Sequence, residues 1–216
     1  MQGELVIYGA GGAGRELAFS LAQETNSQNV WKIKGFVDDD PKLEGKKIND
    51  IPVLGNINWL EENGGNVAVC VVGNPNVKRE LVKKLTKIQK IKFPRIIAPN
   101  CIISSYIEWG EGCIVALSFN YITVNIKIGD FVFINCSTRI GHDVVIGSYT
   151  TIFSDVDVSG GTVIGSDCII GSGVTINPDI KIGNGSIIGA GSVVVKDIPE
   201  YVVAAGVPTK IIKELR

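Results

Sequence analysis

Every sixth residue from position 122 to 194 is isoleucine or valine. The series is Ile122, Ile128, Ile134, Ile140, Ile146, Ile152, Val158, Ile164, Ile170, Ile176, Ile182, Ile188 and Val194. A β-branched register of that period and length predicts a left-handed parallel β-helix, in which each coil of about 18 residues makes three flat sides. The position four after each register residue is small or β-branched: Ile126, Val132, Thr138, Val144, Thr150, Val156, Thr162, Cys168, Val174, Ile180, Ser186 and Ser192. Glycine follows the register residue at 129, 141, 147, 165, 171, 183 and 189, where we expect turns to need it. Ile97, Ile103, Trp109 and Val115 keep the period one residue out of phase, which predicts one inserted residue near Asn120–Tyr121. The stack has two ends to protect. The preceding domain is expected to cover one, and the tail from Asp197 to Arg216 the other.

Residues 1–94 follow a different grammar. Leu5-Val6-Ile7-Tyr8 reads as a strand, Gly9 to Gly14 as a turn, and Arg15 to Gln23 as a helix. Lys34-Gly35-Phe36-Val37 reads as a second strand ending in Asp38-Asp39-Asp40-Pro41. Val67 to Val72 is a buried strand, and Pro75 opens a basic amphipathic helix reaching about Gln89. Strands alternating with helices predict a small parallel sheet with helices on its faces. The expected fold is therefore an α/β Rossmann-like domain over 1–94, followed by a left-handed β-helix with a C-terminal tail over 95–216.

The charge balance narrows the partners. Twenty-one basic and 22 acidic residues nearly cancel, which argues against nucleic acid or an anionic membrane surface. The five cysteines form no C-x-x-C pair, and one histidine cannot complete a structural zinc set, so we expect no metal. The chain shows no charged leader before an apolar segment and no 18-residue apolar span, which predicts a cytoplasmic protein.

Two regions carry chemistry. Gly9-x-Gly11-x-x-Gly14, between a strand and a helix, is a phosphate-loop pattern: its glycines let backbone N–H groups approach an anion at a helix N-terminus. Asp38 to Asp40 end the next strand, where an acid meets a ribose, although alone such a trio is a solvated turn. A domain of about 94 residues is half a full dinucleotide fold, so a nucleotide or nucleotide-sugar fits better than a whole NAD, and a purely structural glycine turn stays open beside them. Gly73 and Asn74 repeat the strand-end pattern and read as ligand contacts or as plain helix capping.

The second region is His142, the chain's single histidine, in a turn of a scaffold that has no structural use for an imidazole. Asp143 adjoins it and can hold one ring nitrogen, leaving the other as a base. Gly160 lies eighteen residues on, one coil away, where strands stack about 4.8 Å apart. A bare backbone N–H there suits a developing oxyanion.

The repeat with Ile140-Gly141-His142-Asp143, the leading Gly-Ala-Gly-Gly turn and the tail Gly206-Val207-Pro208-Thr209-Lys210 together resemble one family. They look like the sugar acyltransferases of the sialic-acid and bacillosamine pathways, and the resemblance covers nearly the whole chain. It implies acetyl transfer from acetyl-CoA to an amino group of a UDP- or GDP-linked 4-amino-4,6-dideoxy sugar. It also implies a homotrimer with CoA between neighbouring β-helices. By position, His142 would be the general base, Asp143 its orienting acid and Gly160 the oxyanion amide. Ser172 and Ala190 would line the pantetheine groove, with Gly160 beside it, and Val207, Pro208 and Lys210 would lie near the CoA nucleotide. Gly9, Ala10, Gly11, Asp38, Gly73 and Asn74 would meet the nucleotide-sugar. Many relatives read Gly-His-Gly where this chain has Gly12-Ala13-Gly14, and some carry Glu where Asp143 stands. Three other readings stay open: O-acetylation of a sugar or sialic-acid hydroxyl, a non-catalytic scaffold, and, from the glycine loop alone, a dinucleotide-dependent oxidoreductase.

Overall fold

A computed structural model describes residues 3–23 and 31–215. The expected start at Met1–Gln2 and the last tail residue, Arg216, lie outside them. The chain divides into two compact units, Met1–Pro99 and Asn100–Arg216.

Among the described residues of the first unit, six strands form one sheet: β1 (Gly3–Tyr8), β2 (Trp31–Val37), β3 (Lys47–Ile48), β4 (Ile51–Gly55), β5 (Gly65–Val69) and β6 (Ile91–Lys92). Their order is β3-β4-β2-β1-β5-β6, parallel except for the β3–β4 hairpin. Three helices connect them: α1 (Gly12–Ala22), α2 (Ile57–Asn63) and α3 (Pro75–Leu85). Leu5, Ile7, Phe36 and Val67 on the strands, with Leu17, Leu60 and Leu85 on the helices, are fully buried between the layers. Because β2 and β5 flank β1 on opposite sides, a crevice opens at the carboxyl end of β1, where the connections diverge.

Several boundaries differ from the sequence reading. Helix α1 starts at Gly12, not Arg15, because the last glycines of the turn already wind into its first turn. β2 begins at Trp31, three residues earlier than its apolar run, held by parallel pairing of Gly3 with Trp31. β5 spans Gly65–Val69, so Cys70 to Val72 leave the sheet as the approach to α3. Helix α3 ends at Leu85, four residues short of the expected end.

The second unit is a parallel β-helix. Its rungs stack in three columns: Ile122, Ile140, Val158, Ile176 and Val194; Ile128, Ile146, Ile164 and Ile182; Ile134, Ile152, Ile170 and Ile188. All thirteen face inward and none is more than 3% exposed. Burying one such side chain contributes about 1.5–3 kcal/mol. The polar small-position residues are satisfied inside: the Thr150, Ser186 and Ser192 hydroxyls donate to the Gly165, Pro199 and Gly189 carbonyls at 2.8, 2.6 and 2.6 Å.

The glycines after the register have a different reason from the one expected. They do not adopt the left-handed turn conformation. A Cβ on Gly141, Gly165 or Gly171 would instead lie 2.6–2.7 Å from a backbone nitrogen of the next coil. The left-handed turns fall two residues later, where asparagine, aspartate, aromatic and serine side chains recur: Asn125, Phe131, Ser137, Asp143, Tyr149, Asp155, Asp167 and Asp179 all have φ between 53° and 64°. Asparagine and aspartate tolerate that region better than most residues.

The phase slip is resolved as an extra residue. Ile103 pairs with Ile122 and Trp109 with Ile128, nineteen residues apart, and Leu117 and Phe119 both take positive φ within that coil. Asn120 is then drawn inside, where its Oδ1 accepts from the Thr138 N–H at 3.0 Å and its Nδ2 donates to the Leu117 carbonyl at 3.1 Å. At the other end the tail supplies partners to all three faces: Ile198 bridges Ile182, the strand Val202–Ala205 pairs with Ile187–Ile188, and Val193 donates to the Gly206 carbonyl. A final strand, Lys210–Glu214, folds back antiparallel on Val202–Ala205.

Candidate active site

In the first unit the residues of the glycine loop sit at the crevice. Gly9 has φ 103°, and its N–H donates to the Val37 carbonyl, tying the first turn to the second strand. A Cβ on Gly14 would strike the Gly9 carbonyl oxygen, so only glycine lets α1 start this close to the loop. Gly11 and Gly12 face open space, and the Gly11 N-cap offers no side-chain oxygen, so the first-turn N–H groups lack a side-chain cap. Arg15 reaches back to the Gly11 carbonyl through Nε at 3.3 Å.

Asp38 is committed to the architecture of this loop. Its Oδ2 accepts from the Ala10 N–H at 2.8 Å, and its Oδ1 from the Asp40 N–H at 2.9 Å. Asp39 accepts from the Tyr8 hydroxyl at 2.7 Å and from the Ile57 N–H at 3.3 Å. Burial, and then the Asp39 carboxylate, push the Tyr8 hydroxyl well above the usual tyrosine range, so it remains a donor. A cavity of about 480 Å³ opens here, lined by Gly9 and Asp38 together with Tyr8, Asp39, Val71, Asn76, Glu80 and Lys84. Asn74 caps α3, its Oδ1 accepting from the Asn76 and Val77 N–H groups at 3.0 and 3.3 Å, and Gly73 is exposed beside it. Sequence reasoning missed Tyr8 and Lys84. Tyr8 sat unmarked at the end of an apolar strand, and Lys84 was one of several basic residues on a helix face.

In the second unit the structure brings His142, Asp143 and Gly160 together. Asp143 Oδ2 lies 2.8 Å from His142 Nδ1. The opposite ring edge rests on Gly160: a Cβ there would be 2.6 Å from both Cε1 and Nε2. The two coils are pinned by the Gly161 N–H donating to the His142 carbonyl at 2.9 Å. Among the described residues no backbone acceptor takes the Gly160 N–H. The imidazole N–H, and then the Asn125 amide, hold the Asp143 carboxyl below the usual carboxylate range. Asn125 went unnoticed in the sequence, although it precedes Asp143 by one coil.

The remaining candidates lie elsewhere on the β-helix. Ser172 and Ala190 stack one coil apart, with the Gly191 N–H donating to the Ser172 carbonyl at 2.8 Å. They belong to the corner column of Ser154, not that of His142 and Gly160. Val207, Pro208 and Lys210 are exposed on the tail, in a segment anchored by the Thr209 hydroxyl donating to the Val193 carbonyl at 2.8 Å. Among the described residues no group of three or more His, Cys, Asp or Glu side chains is placed to hold a metal ion. No helix among them is long and apolar enough to cross a membrane.

Comparison with known proteins agrees with both units. The PglD N-terminal domain family matches residues 4–85, and the bacterial transferase hexapeptide family, as six repeats, matches residues 161–196. Over 149 residues the chain is 32% identical to the GDP-perosamine N-acetyltransferase of Escherichia coli O157:H7. That match spans 67% of this chain and 65% of the curated relative, just under two thirds of its length. A histidine-to-asparagine mutant of perosamine N-acetyltransferase from Caulobacter crescentus, in complex with CoA and GDP-perosamine, superposes with a TM-score of 0.86 over 97% of both chains, at 28% identity. WeeI from Acinetobacter baumannii AYE superposes with a TM-score of 0.84 at 30% identity, covering 97% of this chain and 100% of that one.

Proposed function

The chain belongs to the sugar acyltransferases that join a PglD-type N-terminal domain to a hexapeptide-repeat β-helix, and from that premise we propose that it transfers the acetyl group of acetyl-CoA to the amino group of a nucleotide-linked 4-amino-4,6-dideoxy sugar. The perosamine enzymes among its relatives act on a GDP-linked amino sugar, which makes GDP the first nucleotide to test and UDP the second. One observation carries the reading: the only imidazole of the chain is held at Nδ1 by Asp143 while Nε2 faces the bare backbone of Gly160.

The chemistry follows from that geometry. A proton on Nδ1, shared with the Asp143 carboxylate, leaves the Nε2 lone pair free. The neutral sugar amine attacks the thioester carbonyl carbon, forming the C–N bond, and Nε2 takes a proton from the nitrogen. Negative charge on the carbonyl oxygen meets the Gly160 N–H. The C–S bond then breaks, and the imidazolium returns its proton to the departing thiolate as CoA-SH. The products are an amide and a thiol, and no covalent enzyme intermediate is required. General-base help contributes about 10²–10⁴-fold, and one oxyanion donor about 10²–10³-fold. Approximation of the two bound substrates supplies the remainder.

In this reading the first-unit crevice takes the nucleotide, with Gly9, Ala10 and Gly11 at the diphosphate and Asp38, Gly73 and Asn74 along its rim. Ser172, Ala190, Val207, Pro208 and Lys210 take CoA from a neighbouring subunit of a trimer. Both substrates are cytoplasmic metabolites, and the reading places the protein there. The test is mass spectrometry of acetyl-CoA reactions with GDP-perosamine, a UDP-4-amino-4,6-dideoxy sugar and a UDP-sugar without an amine. One added acetyl group on an amino sugar alone is expected. Acetylation of the amine-free sugar would move the protein to the O-acetyl class. His142→Ala should lower turnover by about 10²–10⁴-fold with acetyl-CoA affinity unchanged, and undiminished turnover would remove His142 as the base.

A further inference from the structure

We propose that Asn125 is a positioning residue for the reaction: it clamps the free oxygen of the Asp143 carboxylate from the preceding coil, and so fixes the orientation and tautomer of His142. The inference rests on the reading of His142 as the base.

The contacts form a chain of three side chains. Asn125 Nδ2 donates to Asp143 Oδ1 at 3.2 Å, while Asp143 Oδ2 faces His142 Nδ1 at 2.8 Å. Each carboxylate oxygen therefore has its own partner, and the group is held at two points. Both Asn125 and Asp143 occupy left-handed corners, with φ 58° and 59°. The next strands lock the two corners in register, Lys127 opposite Val145 and Ile128 opposite Ile146. The Asp143 N–H donates to the Val124 carbonyl at 3.1 Å, so the backbone beneath the clamp is itself fixed. One coil further on the column holds Gly161, which brings no side chain toward Asp143. Among the described residues Asn125 is thus the one side-chain donor to Oδ1.

Exposure makes the clamp necessary. The Asp143 side chain is 58% accessible, so without the amide, water competes for Oδ1 and the carboxylate is held only by its contact with the ring. An imidazole whose acid partner wanders populates both neutral tautomers, and only the one with hydrogen on Nδ1 leaves Nε2 as a base. An amide also suits the position chemically. It orients the carboxylate without cancelling its charge, whereas a lysine there would neutralise the group that stabilises the imidazolium.

Two variants separate this role from a structural one. Asn125→Gly removes the amide and still accepts a positive φ, so the corner and the melting temperature should be retained. Asn125→Asp places a second carboxylate against Oδ1 and should displace the first. Turnover should fall about 3- to 10-fold in the glycine variant and further in the aspartate variant, a fraction of the full general-base effect. The KM for acetyl-CoA should not move. Because the chain contains one histidine, its imidazole nitrogens give an unambiguous long-range ¹H–¹⁵N spectrum. In the glycine variant the neutral ring should shift from the Nδ1–H tautomer toward Nε2–H. An unchanged tautomer ratio overturns the proposal, whatever the rate. His142→Asn, assayed in parallel, keeps the two readings apart: full activity there sinks the base assignment but leaves the tautomer test of Asn125 standing.

Discussion

At the scale of single residues, the candidate catalytic centre depends on a side chain that is absent. Gly160 is not among the residues with positive φ, so alanine is allowed by its backbone. Its reason lies across the coil gap, where a methyl group would come within 2.6 Å of His142 Nε2 and Cε1. The ring is 68% exposed and can swing aside, so the collision should be relieved by moving the base rather than by unfolding. Gly160→Ala is therefore expected to reduce kcat by at least about 10²-fold while changing stability by no more than about 0.5 kcal/mol. Turnover beside a urea unfolding curve distinguishes a displaced base from a damaged fold. A variant with normal kcat would show that the ring position in this structure is not the one that matters.

At the scale of elements, the junction of β1 and α1 shows how glycine spacing is enforced. Gly12 and Gly14 look alike in the sequence, yet they differ in surroundings. A Cβ on Gly12 meets nothing within 4 Å, whereas one on Gly14 runs into the Gly9 carbonyl and comes within 3.3 Å of Ile7 Cγ2. Gly14→Ala must push α1 away from the loop, an overpacking penalty of about 1–3 kcal/mol. Gly12→Ala should be neutral or stabilise by up to about 1 kcal/mol, by restricting the unfolded chain in a helical position. Denaturant titration of the two variants checks the contrast. If the loop and helix N-terminus bind a phosphate as proposed, Gly14→Ala should also weaken nucleotide-sugar binding, because it displaces the N–H groups that face the anion.

At the scale of the whole molecule, the proposed function carries a prediction about assembly. His142 and Asp143 are exposed on the single chain, and Ser172 and Ala190 run along another corner of the same β-helix. In the proposed reading one copy supplies the base and a neighbouring copy the corner that takes CoA. A closed three-fold ring meets that requirement with one repeated interface. Light scattering should therefore give three times the 23.1 kDa chain mass. A monomer that retains full turnover would overturn the shared groove and leave CoA to be bound by one subunit.

The sequence alone carried the repeat architecture. Thirteen consecutive β-branched positions permit one inward register, and the eighteen-residue coil that follows from it already placed His142 beside Gly160. The alternation of strand and helix signals likewise carried the parallel sheet, because apolar periodicity is a local property of the chain. The reason for the glycines after the register was not local. It lies in the distance to the next coil, which a sequence read as a succession of turns does not contain. The same holds for Asp38, whose carboxylate is taken by the Ala10 and Asp40 N–H groups, and for Tyr8, joined to Asp39 across two strands. Asn125 had only its place one coil before Asp143 to mark it, and an asparagine at a left-handed corner is unremarkable until its amide is seen to meet a carboxylate. Hydrophobic pattern determines which residues go inside. Directional contacts between polar groups on neighbouring coils and strand ends are decided only when the chain is folded, because they depend on a few tenths of an ångström and on bond angles that pattern does not encode.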